Sequence, residues 1–228
     1  IPKIRGRFRS VPMQELLNEA KRLASEGVKE LVLVAQETTL YGKDLTGEKQ
    51  LPLLLHELCK IEGIEWIRLL YCYPEEITDE LIKVIKTEEK VCNYIDMPIQ
   101  HSENRILQRM GRRTSREDLV AVIKKLRKEI PDITIRTTLI TGFPGESQED
   151  HEGLMNFVEE CQFDRLGVFT YSPEEDTLAA TFEDQIDEEV KEERRDELMS
   201  LQQEISYEHT QQLVGKTIKV MVEGYLFE

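Results

Sequence analysis

Five short runs of apolar, mostly β-branched or aromatic residues recur along the chain, and segments with helical spacing separate them. That alternation limits the fold more than any other feature. Repeated strand–helix units bury their apolar faces by aligning parallel strands beneath helices. The runs are LVLVA (31–35), EWIRLLY (65–71), NYIDMPI (93–99), TIRTTLIT (134–141) and RLGVFTY (165–171). Met13, Leu16, Leu17, Ala20, Leu23 and Ala24 share one helical face before a stop at Gly27. Further helices are predicted over 51–61, 77–87 and near 102–110. Two more open on Ser-x-x-Asp starts, Ser115 with Asp118 and Ser147 with Asp150, the pattern of a capping box. A long charged helix is predicted over roughly 186–212, and TIKVMVE (217–223) reads as a last strand. LVLVA has no polar alternation, so it is expected to be buried on both faces. Segments 31–35, 95–99 and 135–140 are expected among the most buried.

No GxGxxG follows the first run, so the dinucleotide-binding fingerprint is missing. A closed eight-fold barrel takes about 250 residues and eight strands. The expectation is therefore α/β: an open, partial (βα) barrel of parallel strands, with helices on its outer face. Because the chain starts on basic residues and a helix, the repeat is expected to lack its first strand. Residues 1–212 are expected to form the core with its C-terminal helix, and 213–228 the start of a second, truncated β-domain.

The 228 residues hold 30 Lys plus Arg against 45 Asp plus Glu, a formal charge of −15. That excess argues against a grip on nucleic-acid backbone. No apolar run approaches the ~20 residues of a membrane span. Four scattered cysteines suit a reducing compartment, here the cytoplasm. The charge is unevenly spread: residues 103–128 hold nine bases against three acids, and 172–200 hold twelve acids against three bases. The acidic run is either a solvated helix face or a surface that attracts a basic partner.

In parallel α/β folds, ligands bind at the carboxyl ends of the strands. Those ends read Gln36-Glu37-Thr38-Thr39, Tyr71-Cys72-Tyr73-Pro74, Gln100-His101, Thr141-Gly142-Phe143-Pro144-Gly145-Glu146 and Tyr171-Ser172. Every strand stops in polar or Gly/Pro residues, which marks one face as a site. Arg136 lies inside an apolar strand, where a buried guanidinium needs an anionic partner. Cys59, Cys72, Cys92 and Cys161 show no CxxC spacing, and there is no HExxH or GxSxG. Cys59 and Cys161 fall on apolar helix faces and are expected to pack in the core. These residues support ligand binding without naming a reaction.

The phrases VAQETTLYGKD, RLLYCYPEEIT, DMPIQHSENRILQRMGRR, RTTLITGFPGE and GVFTYSPEEDT, in that order, resemble the radical S-adenosylmethionine (SAM) methylthiotransferases over essentially the whole chain. VAQETT–YG and YSPEEDT are most similar to the branch that methylthiolates an aspartate of a small-subunit ribosomal protein. LVGKTIKVMVEG is similar to the opening of the family's C-terminal TRAM domain. The resemblance implies S-adenosylmethionine and two [4Fe–4S] clusters in the full-length protein, together with an electron donor. One cluster generates a 5′-deoxyadenosyl radical that abstracts hydrogen from the substrate; the other takes part in sulfur insertion. The CxxxCxxC of the family is expected upstream of Ile1, so no cluster and no activity are expected of this segment alone. By motif position, the resemblance implies Gln36 and Glu37 for the methionine amino group, and Gln100 and His101 for the ribose hydroxyls. Arg136 would take the methionine carboxylate. Gly142 and Gly145 would let backbone pack beside the cofactor, and Phe169, Tyr171 and Ser172 would line the adenine. The shared phrases leave a tRNA adenosine methylthiotransferase open, and the residues alone leave a non-catalytic interaction or phosphate-binding barrel open.

Overall fold

A computed structural model describes residues 6–222 and 224. Five parallel strands follow one another in space as they do in sequence: β1 Glu30–Leu33, β2 Trp66–Leu69, β3 Tyr94–Asp96, β4 Thr134–Thr141 and β5 Arg165–Thr170. They form two ladders, β1–β2 and β3–β4–β5. The expected single sheet is therefore interrupted between β2 and β3. Isolated bonds stitch that seam: Cys92 N–H to the Ile67 carbonyl, and Cys72 N–H to the Asp96 carbonyl, both 2.9 Å. The sheet is open.

The helices are α1 Met13–Ser25, α2 Lys43–Thr46, α3 Leu51–Cys59, α4 Asp79–Thr87, α5 Asn104–Arg109, α6 Arg116–Glu129, α7 Gln148–Cys161 and α8 Glu188–Gln211. Both Ser-x-x-Asp starts form full capping boxes, at Ser115 on α6 and Ser147 on α7. Thr78 caps α4 by accepting the Leu81 N–H at 3.2 Å. Each cap satisfies amide donors that the first helical turn leaves without partners.

Side chains alternate across each strand. On β4, Ile135, Thr137, Leu139 and Thr141 are buried beneath the helices, whereas Arg136 is exposed on the opposite, open face. On β3 and the residues beyond it, Ile95 to Ile99 are all buried, as expected. The other two segments are corrected by the structure. Leu31 is buried, but Val32 is 46% and Val34 61% exposed, so LVLVA is covered on one face only. Arg136 likewise breaks the burial of 135–140. The physical reason is the open curve of the sheet: helices cover one side and no described element fills the other.

Helix α8 binds the sheet through a mixed stripe of Lys191, Arg194, Leu198, Gln202 and Ile205, all buried. Lys191 donates to the Tyr171 carbonyl at 3.0 Å and Gln202 to the Phe163 carbonyl at 2.8 Å. The long acidic helix is thus not simply a solvated rod. Lys191 and Arg194 are buried with partners, whereas Arg195 and the acids face outward. Residues 217–222 form no strand among the described residues, and Val220 and Val222 are exposed. A strand needs a hydrogen-bonded neighbour, and this segment has none there; Glu223, the end of that expected strand, lies outside the described residues.

Candidate functional site

A cavity of about 290 Å³ opens on the uncovered face at the carboxyl ends of the strands. All five strands reach it: Gln36 follows β1, Tyr71 and Tyr73 follow β2, and Asp96, Pro98 and Gln100 come from β3 and beyond. Arg136 and Thr138 extend from β4, Phe169 from β5, and Arg112 from the loop after α5. Tyr71 and Gln100 both adopt left-handed backbone, with φ of 57° and 72°. Non-glycine residues rarely do so, and such strain concentrates at functional sites. Hydrogen bonds hold both turns. The Tyr71 N–H donates to Asp96 Oδ2 at 3.1 Å, and Gln100 bridges Thr138 and Ile140 through its own N–H and carbonyl.

Of the residues singled out in the sequence, the structure brings Gln36, Gln100, Arg136 and Phe169 together around this cavity. Phe169 is 62% exposed there. Arg136 has the anionic partner its position demanded, Asp96 Oδ1 at 3.7 Å, but its side chain is 47% exposed rather than buried. Glu37 lies just behind the rim. Its Oε1 accepts the N–H and hydroxyl of Thr39 and the N–H of Tyr73, while its buried Oε2 has no partner. Burial pushes its carboxyl above the ordinary value, against those hydrogen bonds.

Five more of the residues singled out in the sequence lie outside the cavity lining. His101 is fully buried on the helix side, where Nδ1 accepts the Glu103 N–H and Nε2 stands 3.4 Å from Glu146. One residue of strand alternation turns it away from the face that Gln100 shares. Gly142 (φ +70°) lies against Lys191, and Gly145 (φ +81°) against the Arg109–Asp184 ion pair, so a Cβ at either would meet protein side chains. Tyr171 packs edge-on to Phe143 at 5.1 Å, away from the cavity lining. Ser172 is exposed in the following loop and does not line it either. The sequence reading missed Asp96, Arg112 and Thr138. For Asp96 the available signal was an acid at the alternating position of β3, in register with Arg136.

Among the described residues no three His, Cys, Asp or Glu side chains come together to hold a metal ion. The thiols are poor ligands as they stand, since burial pushes Cys59 to about 11 and Cys161 to about 12, and raises Cys72 and Cys92 as well. An iron–sulfur cluster does not fit these residues. The strand-end cavity does fit a zwitterionic, hydrogen-bonding ligand, having the unpartnered Glu37 carboxylate oxygen behind it and guanidinium and amide groups on its wall.

The family model of the radical SAM superfamily matches residues 1–158. The chain belongs to that superfamily. It is 63% identical, over all 228 residues, to a protein of Lachnoclostridium phytofermentans named ribosomal protein uS12 methylthiotransferase RimO, and covers 52% of it. The protein of that name from Clostridium perfringens is 57% identical over 225 residues, 99% of this chain and 51% of the relative. The chain thus spans about half the length of these relatives. Among solved structures, the radical S-adenosylmethionine methyltransferase TsrM from Kitasatospora setae aligns with a TM-score of 0.58 at 16% identity, over 72% of this chain and 32% of its own. SuiB from Streptococcus suis aligns at 0.55 and 16% identity, over 89% and 41%. At that identity the likeness is one of fold. No helix among the described residues is long and apolar enough to cross a membrane.

Proposed function

We propose that the protein containing this chain is a cytoplasmic radical SAM methylthiotransferase that attaches a methylthio group to the β-carbon of an aspartate in ribosomal protein uS12. The observation that carries this reading is the 63% identity to a uS12 methylthiotransferase across every residue of the chain. The charge of −15 supports it, since a basic ribosomal protein is the complementary partner and a polyanion is not.

On this reading the strand-end cavity binds S-adenosylmethionine, which when bound supplies the radical and methyl-donor chemistry. This chain's part is to bind, orient and exclude water. Glu37 Oε2 has the free lone pairs an ammonium needs. Gln36 and Gln100 offer amides to hydroxyls or polar edges. Phe169 presents an open ring face for stacking. Among the described residues no group of side chains could hold either of the two [4Fe–4S] clusters of this reading, and an electron donor completes it.

The test uses the complete gene product, reconstituted anaerobically with iron, sulfide and a reductant, and offered uS12 and tRNA in parallel. Mass spectrometry of the digested products decides. A methylthio group on a uS12 aspartate supports the reading. Modification of tRNA adenosine alone moves the assignment to the tRNA enzymes, and modification of neither leaves a non-catalytic barrel.

A further inference from the structure

We propose that His101 is a positioning residue: from the helix side of the sheet, its buried imidazole holds Gln100 in the strained turn that presents the Gln100 amide to the strand-end cavity. The inference rests on the reading above, in which that cavity takes S-adenosylmethionine, and it concerns a side chain that touches no ligand itself.

Gln100 lines the cavity, and a tight turn sets its direction. The His101 N–H donates to the Ile99 carbonyl at 3.0 Å, and Gln100 between them has φ +72°. A hydrogen bond closed over three residues around a positive φ is a γ-turn of the rare, strained kind. Such strain persists only where the surroundings over-determine the backbone. Bonds to Thr138 and Ile140 hold the N–H and carbonyl of Gln100, but nothing in that ladder acts beyond its carbonyl. His101 fixes the far side of the turn. It is fully buried, and its Nδ1 accepts the Glu103 N–H at 3.0 Å, just before α5. An accepting Nδ1 leaves the ring proton on Nε2. That nitrogen faces Glu146 Oε2 at 3.4 Å. Glu146 is itself fixed, accepting from Arg194 of α8 at 2.8 Å and from the Gly142 N–H beyond β4 at 2.9 Å. The imidazole therefore has an anchor on each ring nitrogen, one toward α5 and one toward β4 and α8. With an apolar side chain in its place, the Glu103 N–H loses its acceptor and the turn is free to relax toward ordinary backbone. Relaxation at Gln100 moves its amide off the cavity wall, because side-chain direction follows the backbone that carries it.

The experiment is a double-mutant cycle, read by equilibrium binding of S-adenosylmethionine to the anaerobically reconstituted complete protein. Its corners are wild type, His101→Leu, Gln100→Ala and the double variant, with His101→Asn and His151→Asn alongside. Thermal unfolding of each variant verifies folding. His101→Leu is expected to weaken binding about tenfold, the scale of one hydrogen bond. Once Gln100 is replaced by alanine, the same change should weaken binding by less than about twofold, since its route to the ligand is gone. His101→Asn, whose amide oxygen replaces the Nδ1 acceptor, should recover part of the affinity, and it completes the same cycle if His101→Leu does not fold. His151→Asn removes the other buried histidine, which pairs with Glu197 and does not line the cavity, and should leave the affinity intact. A loss of the same size with and without the Gln100 side chain, an equal loss from His151→Asn, or folded His101 variants that bind as wild type does, overturns the positioning role while leaving the functional reading standing. A wild-type protein that does not bind S-adenosylmethionine overturns the reading and this inference together.

Discussion

Asp96 and Arg136 are register partners on adjacent parallel strands, and their charges meet 3.7 Å apart on the open face of the sheet. The two ends of this pair are not equivalent. Asp96 is buried and also accepts the Tyr71 N–H, which helps hold that residue in left-handed backbone at the cavity rim. Arg136 is half in solvent. Asp96→Ala is therefore expected to cost about 2 kcal/mol, since it leaves the part-buried Tyr71 amide and the Arg136 guanidinium without their acceptor. Arg136→Gln should cost less than about 1 kcal/mol, as exposed ion pairs do. Urea unfolding of both variants measures the asymmetry, and equal costs would contradict it.

Gly142 and Gly111 share a positive φ but differ in what surrounds them. A Cβ at Gly142 would overlap the aliphatic stem of Lys191, which is anchored at its other end to the Tyr171 carbonyl. At Gly111 a Cβ meets nothing within 4 Å. Gly111→Ala should cost only the left-handed strain, about 1 kcal/mol. Gly142→Ala should cost about 3 kcal/mol, because overpacking adds to that strain. Thermal denaturation of the two variants, with Gly142→Ala melting lower, is the expected result.

Much of this architecture was legible in the order of residues, and the reasons are local. The capping boxes at Ser115 and Ser147 need only four consecutive residues, and the strand bodies need only short apolar runs, so both are visible in one dimension. What the sequence could not convey is which side of a strand faces open space. LVLVA looks doubly buried because valine is as apolar at position 32 as leucine is at 31, yet Leu31 and Leu33 pack against the core while Val32 and Val34 are exposed. His101 and Gln100 are adjacent in the motif but lie on opposite sides of the sheet. Gly142 and Gly145 read as cofactor glycines because their crowding partners, Lys191 and the Arg109–Asp184 pair, include residues some forty or more positions away in sequence.

Glu146 makes the buried electrostatics testable. It is fully buried, 2.8 Å from Arg194 and 3.4 Å from His101, and accepts the Gly142 N–H at 2.9 Å. Burial pushes its carboxyl up, but the His101 contact, the Arg194 charge and the Gly142 amide outweigh that, and the result lies below the ordinary value of 4.5. A depressed carboxyl stabilises the fold above its unfolded pKa and loses that contribution as pH falls through the folded value. The stability gap between wild type and Glu146→Gln should accordingly be widest near neutrality and close on acidification. Arg194→Met, which leaves the carboxylate buried without its nearest cation, should cost about 3–5 kcal/mol. Adding Glu146→Gln to Arg194→Met should recover part of that loss. Guanidinium titrations at several pH values test all three statements.

The last prediction concerns the acidic segment beyond β5. Glu174, Glu175 and Asp176 are exposed in the loop that leaves the carboxyl end of that strand, the same end of the sheet as the cavity. The long helix begins only at Glu188, so these acids sit on a loop rather than a first helical turn. Exposed charge at a rim acts mainly on encounter: it speeds association and suppresses wrong partners, and salt screens it over about 8 Å at physiological strength. If the complete protein acts on uS12 as proposed, reversing all three to lysine should slow that association and flatten its dependence on salt, while turnover at saturating substrate changes little. Stopped-flow association at two ionic strengths provides the comparison. The buried bases Lys191 and Arg194 are left untouched by these substitutions, so thermal stability should not move. If association and its salt dependence are unchanged, the loop has no docking role and its acids are simply solvated.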